Sequence, residues 1–325
     1  MSPAALTVLV LLAAPLRIEV AGRHVDLQVV PARRSATAPA LLAWAEAGVR
    51  SVSAYLGAFP IDGARLEVVP GPGHAINGHS EIDGAGIAQV TVELGTAVTD
   101  AELRHDWVLV HELVHLALPR LDPRHHWIEE GLATYVEPLV RAQDATSGFG
   151  IASREVWSQL ARGLPSGLAA GADGMDHTGS WASTYWGGAL FWLLVDLDLR
   201  TRSEGRCSVQ DALRGLGRAG LSQATPRPLR ELLVAADRTA GTGSFARIYQ
   251  QLGPKLTPMD LQALLGGLGV RSSDRETSAD REAPPIELDD SAPQAALRRA
   301  ITAPDPGLCL PQAAPGPTDA GTSTR

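Results

Sequence analysis

The chain has 325 residues, of which 45% are hydrophobic and 20% are charged. This composition is near the average for soluble globular proteins, so it excludes collagen, a coiled coil and disorder throughout the chain. The formal net charge of −8 and the lack of a long basic run argue against a protein that binds nucleic acid through phosphate contacts. Two cysteines are too few for a disulfide framework. No apolar run reaches the roughly 20 residues that a membrane span needs.

The first 14 residues are nearly all apolar, and this length fits the hydrophobic region of a secretory signal peptide. No Lys or Arg precedes the apolar run, so the positively charged region of such a signal is incomplete. The alternative is that this segment forms a first buried strand. We expect a signal peptide at residues 1–14 and therefore a secreted or periplasmic protein.

Strand patterns dominate the next part of the chain. We expect a hairpin of Leu16–Val20 and His24–Val30, a helix over Ala38–Leu56, and strands over Leu66–Val69 and Ala88–Leu94. The segment Gly71–Gly86 contains five Gly and one Pro, which predicts a loop. Strict alternation over Ala88–Leu94 places one face in water. This strand is expected either to be the edge that pairs with an extended peptide or to be an ordinary edge strand.

From residue 100 onward the apolar spacing is helical. The candidate helices are Ala101–Ala117, Glu129–Ala142, Ser153–Arg162, Trp181–Arg200, Val209–Leu216, Arg227–Ala236 and Ser244–Leu252. The predicted fold class is α+β, with a small mixed or antiparallel N-terminal sheet followed by a mostly helical half. We expect one domain over residues 15–270, with a sheet part at 15–100 and a helical part at 101–270. Residues 271–325 contain eight Pro and predict a loosely attached, partly disordered tail with one short helix near Gln294–Ile301.

Five of the nine histidines lie between His105 and His126, and two of them belong to a His-Glu-x-x-His motif, His111–His115. The motif lies in an apolar segment that predicts a buried helix. Residues four apart on a helix differ by about 40° around the axis, so both imidazoles can bind one metal ion. Glu112 lies about 100° further round, where a base can act on a metal-bound water. The alternative is a pair of hydrogen-bonded core histidines. Uncompensated, these polar groups would cost several kcal/mol in a buried helix, and a metal ion is the simplest compensation.

A catalytic zinc site needs a third protein ligand and one open position. The next predicted helix offers two candidates, Glu129 and Glu130, which point about 100° apart. Spacing alone leaves the choice between them open. Three histidines near the motif, His105, His125 and His126, are expected at the surface or behind the ligands rather than on the metal.

A His-Glu-x-x-His helix followed by a Trp-x-x-Glu-Gly-x-Ala-x-Tyr helix resembles the gluzincin metallopeptidases, and the segments Thr184–Leu190 and Ser208–Arg214 are similar to the glycyl aminopeptidase family of that clan. The resemblance implies a thermolysin-like catalytic domain, one Zn²⁺ per chain and Glu130 as the third ligand beside His111 and His115. The chain has Gly187–Gly188 where that family usually has Lys-Gly, and it lacks a Gly-x-Met-Glu-Asn motif. Aminopeptidase specificity therefore stays open.

The resemblance and the chemistry together predict a zinc peptidase in which a metal-activated water attacks the peptide bond and Glu112 is the general base. The oxyanion needs a second donor, and gluzincins of the aminopeptidase type place a Tyr there, which implies Tyr185. The alternatives are that Tyr185 only packs, or that His177 is the donor.

Two other functional classes remain open, a scaffold or binding module that zinc only stabilises and a zinc hydrolase of non-peptide substrates. The expected partner is a peptide or protein substrate, without nucleic acid or a membrane span, and the oligomeric state is unknown. If the protein is exported, Cys207 and Cys309 can form a disulfide.

Overall fold

The structure is a computed structural model that describes residues 15–83, 85–144, 148–168, 173–223, 226–255, 257–272, 286–305, 307 and 309. The predicted signal peptide at residues 1–14 lies outside the described residues. A sheet occupies the first part of the chain and helices occupy most of the rest, which confirms the predicted α+β arrangement. Buried side chains of both parts belong to one continuous hydrophobic core.

One five-stranded mixed sheet forms the N-terminal part. Its strands are β1 (Leu16–Val20), β2 (Arg23–Val29), β3 (Ala64–Gly71), β4 (Ile76–Ile82) and β5 (Ala88–Gly95), in the order β1-β2-β3-β5-β4. The predicted hairpin of β1 and β2 turns at Ala21 and Gly22, which both have positive φ. Strand β3 pairs in parallel with β2 and with β5, whereas β4 pairs with β5 in the antiparallel direction.

The expectation that Ala88–Leu94 is an edge strand is wrong, and so is the loop predicted for Gly71–Gly86. Strand β5 lies between β3 and β4, so the sheet ends at β4. Side chains of β4 are alternately half-buried and exposed, and none is fully buried. The sequence of β4 has a weak hydrophobic pattern and a central Gly78, so it gives no clear signal for a strand. The pairing with β5, a contact distant in sequence, forms it.

The helices largely follow the predicted ranges. They are α1 (Ala38–Leu56), α2 (Asp100–Leu103), α3 (Val108–His115), α4 (His126–Gln143), α5 (Ser153–Gly167), α6 (Gly188–Arg202), α7 (Val209–Arg218), α8 (Leu229–Ala240), α9 (Ser244–Leu252), α10 (Leu261–Gly267) and α11 (Ala295–Thr302). Helix α1 ends at Gly57, whose φ of 81° is left-handed. Within the described ranges, no helix combines the length and the apolar character that crossing a bilayer requires.

The helix predicted over Ala101–Ala117 is interrupted. The carboxylate of Asp106 accepts hydrogen bonds from the backbone N–H groups of Val108 and Leu109, at 3.0 and 3.1 Å, and so begins α3 as a new helix. The same carboxylate accepts from Trp44 Nε1 of α1 at 3.0 Å. A Cβ on Gly48 would lie 2.7 Å from a Leu109 methyl group, so α1 and α3 pack at close range there. These contacts fix the start and the packing of α3, the helix that carries the His-Glu-x-x-His motif.

The C-terminal segment is attached more firmly than its composition predicts. Strand β6 (Val270–Ser272) pairs with β7 (Ile286–Leu288), and helix α11 forms where a short helix was expected. Ile301 is buried, and Ser153 and Thr302 share a hydrogen bond of 2.8 Å. The described part of this tail, residues 286–305, therefore packs against the body of the protein. Residues 273–285 and 310–325 lie outside the described residues.

Cys207 and Cys309 form a disulfide that spans 102 residues in sequence. Cys207 directly precedes Ser208, the N-cap of α7, whose hydroxyl also bonds the carboxylate of Asp305. The crosslink therefore holds the end of the described chain against the start of α7.

Loss of this disulfide should destabilise the protein. Closing a loop of this length removes entropy from the unfolded chain, so Cys207→Ser is expected to lower the free energy of unfolding by about 2–5 kcal/mol. Urea denaturation of the oxidised protein and of Cys207→Ser measures the difference. Equal midpoints for the two proteins, with no free thiol detected in the wild type, would contradict a stabilising crosslink.

Candidate metal centre

The His-Glu-x-x-His motif lies on α3, a helix of eight residues of which all but His115 are fully buried. His111 and His115 face the start of α4, which follows after a short loop. Both imidazoles therefore project to the same side of α3, as the four-residue spacing predicts.

Glu130 lies between the two imidazoles. Its Oε2 is 3.3 Å from His111 Nε2 and 3.5 Å from His115 Nε2. Ligands about 2.0–2.1 Å from a tetrahedral zinc ion are separated from one another by about 3.3 Å. Both distances from the Glu130 carboxylate thus match the spacing of zinc ligands.

The structure also separates the two candidate carboxylates on α4. Glu129 Oε1 accepts a hydrogen bond of 3.3 Å from the backbone N–H of Leu121 in the loop before α4. Glu130 instead points to the imidazoles of α3 and is buried. Of the two carboxylates, it is therefore Glu130 that has the geometry of a third ligand.

A glycine contact fixes the direction of Glu130. A Cβ on Gly131 would lie 2.2 Å from the backbone of Gly188, and a Cβ on Gly188 would lie 2.0 Å from the carbonyl of Trp127. Helices α4 and α6 therefore touch through their backbones, and no side chain fits between them. The Gly after Glu130 in the sequence motif is required by this close approach.

Glu112 lies beside the three candidate ligands. It offers a carboxylate oxygen within 4.8 Å of ligand atoms of His111 and His115. Strand β4 covers it, because a Cβ on Gly78 would lie 2.5 Å from Glu112 Cγ, and Ser80 forms a hydrogen bond with its carboxylate. Burial raises the pKa of Glu112 to about 7. The structure thus places this acid between the candidate metal ligands and the edge strand.

The protonation of the ligands reflects their burial and their shared carboxylate. Burial lowers the pKa of His111, which favours the neutral imidazole that binds metal. Burial also opposes a charge on His115, but the neighbouring carboxylates outweigh it and raise its pKa. For Glu130, burial favours the neutral acid, yet hydrogen bonds with His111, His115 and His126 hold its pKa well below the usual range. The carboxylate is therefore ionised, as a ligand must be.

His126, which was expected at the surface or behind the ligands, contacts both carboxylates at the start of α4. Its Nε2 lies 3.1 Å from Glu130 Oε1, and its Nδ1 lies 3.5 Å from Glu129 Oε2. These two carboxylates raise the pKa of His126 to about 10. The i, i+4 spacing of His126 and Glu130 on α4 is the sequence signal that could have predicted the contact. By contrast, His125 is buried against Asp176 and His105 is exposed.

Tyr185 reaches the candidate centre from a π-helical turn, Ser183–Gly187, directly before α6. Its ring stacks on His111 at 6.0 Å between centroids and on Trp181 at 4.5 Å. Burial, together with the charge of Glu130 and a hydrogen bond to it, raises the pKa of the Tyr185 phenol. The hydroxyl therefore keeps its proton near neutral pH. His177 is exposed and does not line this cavity.

These groups enclose a cavity of about 290 Å³. Glu112, His115, Glu130 and Tyr185 line it together with Gly78 and Ser80 of β4. His126, Arg120 and Gln223 complete the wall on the side of the α3–α4 loop.

No protein-family model matches the sequence, and neither does any curated protein. Solved structures do match the fold. An aminopeptidase N family protein from Idiomarina loihiensis is 15% identical, with a TM-score of 0.60 over 83% of this chain and 51% of that one. A two-domain M1 zinc metallopeptidase bound to L-arginine is 15% identical, with a TM-score of 0.50 over 76% of this chain and 52% of that one.

The chain spans about half the length of these two structures. At 15% identity the similarity establishes the fold. The resemblance to zinc metallopeptidases that the sequence motifs indicate is confirmed at the level of the fold, because the chain is similar in fold to about half of each of these two structures.

Proposed function

We propose that the protein is a zinc-dependent peptidase whose ligands are His111, His115 and Glu130. The observation that carries the proposal is the position of the Glu130 carboxylate between two imidazoles at zinc-ligand spacing. Its donor set of two imidazoles and one carboxylate is typical of catalytic zinc, which keeps one position open. The finer assignment, a thermolysin-like catalytic domain over residues 15–270, is part of the same proposal.

In this proposal, Glu112 is the general base. A bound zinc ion would supply Lewis acidity to the attacking water and to the scissile carbonyl. The Glu112 carboxylate takes the proton of that water and returns it to the leaving amine. Strand β4 packs against Glu112 and so keeps bulk water away from its carboxylate.

Tyr185 is the proposed donor to the oxyanion. Its phenol keeps its proton, lines the cavity and stacks on His111. A neutral hydroxyl can donate a hydrogen bond to the negative oxygen that develops in the transition state. His177 remains the alternative donor, although its exposed position would require it to move to reach the site.

The substrate would bind along β4 rather than β5. Strand β4 is one of the two edges of the sheet, the other being β1, and Gly78 and Ser80 of β4 lie next to Glu112. An extended peptide can add to such an edge through backbone hydrogen bonds. A peptide bound in this way would have one of its peptide bonds in front of the candidate metal centre.

We also propose that the protein functions in an oxidising compartment, secreted or periplasmic. Disulfides persist there and are rare in the cytosol, so the Cys207–Cys309 bond supports the expectation from the apolar N-terminus.

We expect one zinc ion per chain. His115→Ala removes a ligand and should lower the bound zinc to well below 0.5 equivalents after dialysis. The exposed His105→Ala is the matched control and should keep full stoichiometry. Elemental analysis by mass spectrometry measures both. Undiminished zinc in His115→Ala would contradict the ligand assignment.

Glu112→Gln should separate a catalyst from a scaffold. The change keeps shape while removing the base, so zinc content and melting temperature should stay nearly unchanged. Turnover of a peptide library should fall by at least about 10²-fold. Glu155→Gln, an exposed carboxylate of α5, is the control and should keep wild-type turnover. If the zinc-loaded wild type cleaves no peptide in the library, the peptidase proposal is contradicted. A zinc-stabilised scaffold or a zinc hydrolase of non-peptide substrates then replaces it.

Tyr185→Phe should lower kcat by about 10²- to 10³-fold with little change in KM, as loss of an oxyanion donor does. Phenylalanine keeps the ring contacts with Trp181 and His111, so only the hydroxyl is tested. Steady-state kinetics of Tyr185→Phe and His177→Ala on one peptide give the comparison. Full activity in Tyr185→Phe and loss in His177→Ala would assign the donor role to His177.

A further inference from the structure

A second and larger cavity adjoins the candidate metal centre. It has a volume of about 880 Å³ and lies between the α3–α4 loop and helices α8 and α9. Leu229, Leu233 and Val234 of α8 contribute apolar surface, and Val234 is 47% exposed. Four arginines line the rest of this cavity, which we therefore call the arginine groove: Arg120, Arg124, Arg227 and Arg230.

The charge of the arginine groove is opposite to that of the whole chain. Four guanidinium groups line it against one carboxylate, that of Asp122, although the chain has a net charge of −8. Such a local excess attracts anions even when the whole protein is acidic.

Carboxylates engage these guanidinium groups only weakly. Arg124 lies 3.7 Å from Asp122 and Arg227 lies 3.6 Å from Glu231, which are long, exposed ion pairs of little strength. Arg124 Nε also donates a hydrogen bond of 3.1 Å to His125 Nε2. For Arg120 and Arg230, the described residues offer no side-chain partner. Helix α8 also begins in this groove without a side-chain cap, so its free N–H groups add to the attraction for anions.

The arginine groove and the candidate metal centre share a wall. Arg120 lines both cavities. Its carbonyl accepts a hydrogen bond of 3.0 Å from the N–H of Arg227, which joins the loop after α3 to the segment before α8. Gln223, nearby in the same wall, lines the metal cavity, and its Oε1 is buried with no hydrogen-bond partner in the described chain. This amide oxygen is therefore free to accept a hydrogen bond from a water or from a ligand in the cavity.

We propose that the arginine groove binds acidic residues of the peptide substrate, on the side of the cleaved bond that passes Arg120. This inference rests on the proposed peptidase function and specifies its substrate class. A peptide fits better than a small anion, because the groove offers apolar contacts as well as charge and shares Arg120 with the metal cavity. At about 3.3 Å per residue, an extended peptide that leaves the metal centre along this wall places several side chains over the arginines.

The test uses two fluorescein-labelled peptides of about ten residues with the same central sequence. One carries three Glu on each side of the centre, and the other carries Gln at those positions. Their Kd values are measured by fluorescence anisotropy on zinc-loaded Glu112→Gln, so that cleavage does not interfere. We expect the Glu peptide to bind at least about 10-fold more tightly, and most of this preference to vanish when NaCl is raised from about 50 to about 500 mM.

The double variant Arg120→Glu/Arg230→Glu, in the same background, should abolish the preference. The control is Arg238→Glu, which reverses the charge of an exposed arginine on α8 outside the groove. This variant should keep the preference for the Glu peptide. Peptides with Glu on one side only then identify which side of the bond passes Arg120. Equal Kd values for the Glu and Gln peptides, or a preference that survives the double variant, would overturn the inference. A preference for Glu without cleavage of any peptide by the wild type would instead refute the peptidase function, because binding and turnover are measured separately.

Discussion

The position of Glu130 depends on the backbone contact between α4 and α6. Gly131 and Gly188 approach so closely that neither position has room for a Cβ, and this contact sets the rotation of α4 about its axis. The same rotation turns Glu129 to the loop at Leu121 and Glu130 to the two imidazoles of α3. On the other side, Asp106 and Gly48 fix where α3 begins and how closely it packs on α1.

The chemistry of the cluster follows from its burial. Two carboxylates and two imidazoles of α3 and α4 meet with little access to water, which is unfavourable unless each charge is compensated. Hydrogen bonds with His111, His115 and His126 compensate the charge of Glu130, and His126 contacts its outer oxygen. A divalent cation at the shared position would neutralise the carboxylates and leave both imidazoles neutral. This compensation of buried charges by a single ion is the physical basis of the proposed zinc site.

Much of the helical half could be predicted because its apolar spacing is local and strong. The limits of α1 agree with the sequence pattern, and the pairing of His111, His115 and Glu130 follows from helical geometry together with a family resemblance. The edge strand could not be predicted in this way. Strand β4 contains Gly78 and few apolar residues, so only its pairing with β5 reveals it.

The break before α3 and the packed C-terminal segment were missed for the same reason. Asp106 ends one helical pattern by binding the backbone of the next helix and the indole of Trp44, contacts that a periodicity analysis does not contain. The proline-rich composition of the tail gives no sign that Ile301 is buried and that Thr302 bonds Ser153, although the short helix and the pairing of Cys207 with Cys309 were among the expectations. Likewise, Arg120 and Arg230 are far apart in sequence, and only the fold brings them to one groove.

The most direct test of the central claim is a crystal structure of the zinc-loaded protein with data collected on both sides of the zinc absorption edge. The account predicts one anomalous difference peak per chain, bounded by His111 Nε2, His115 Nε2 and the carboxylate of Glu130 at about 2.0–2.2 Å. A peak elsewhere, or no peak between these three side chains in a fully loaded crystal, would contradict it.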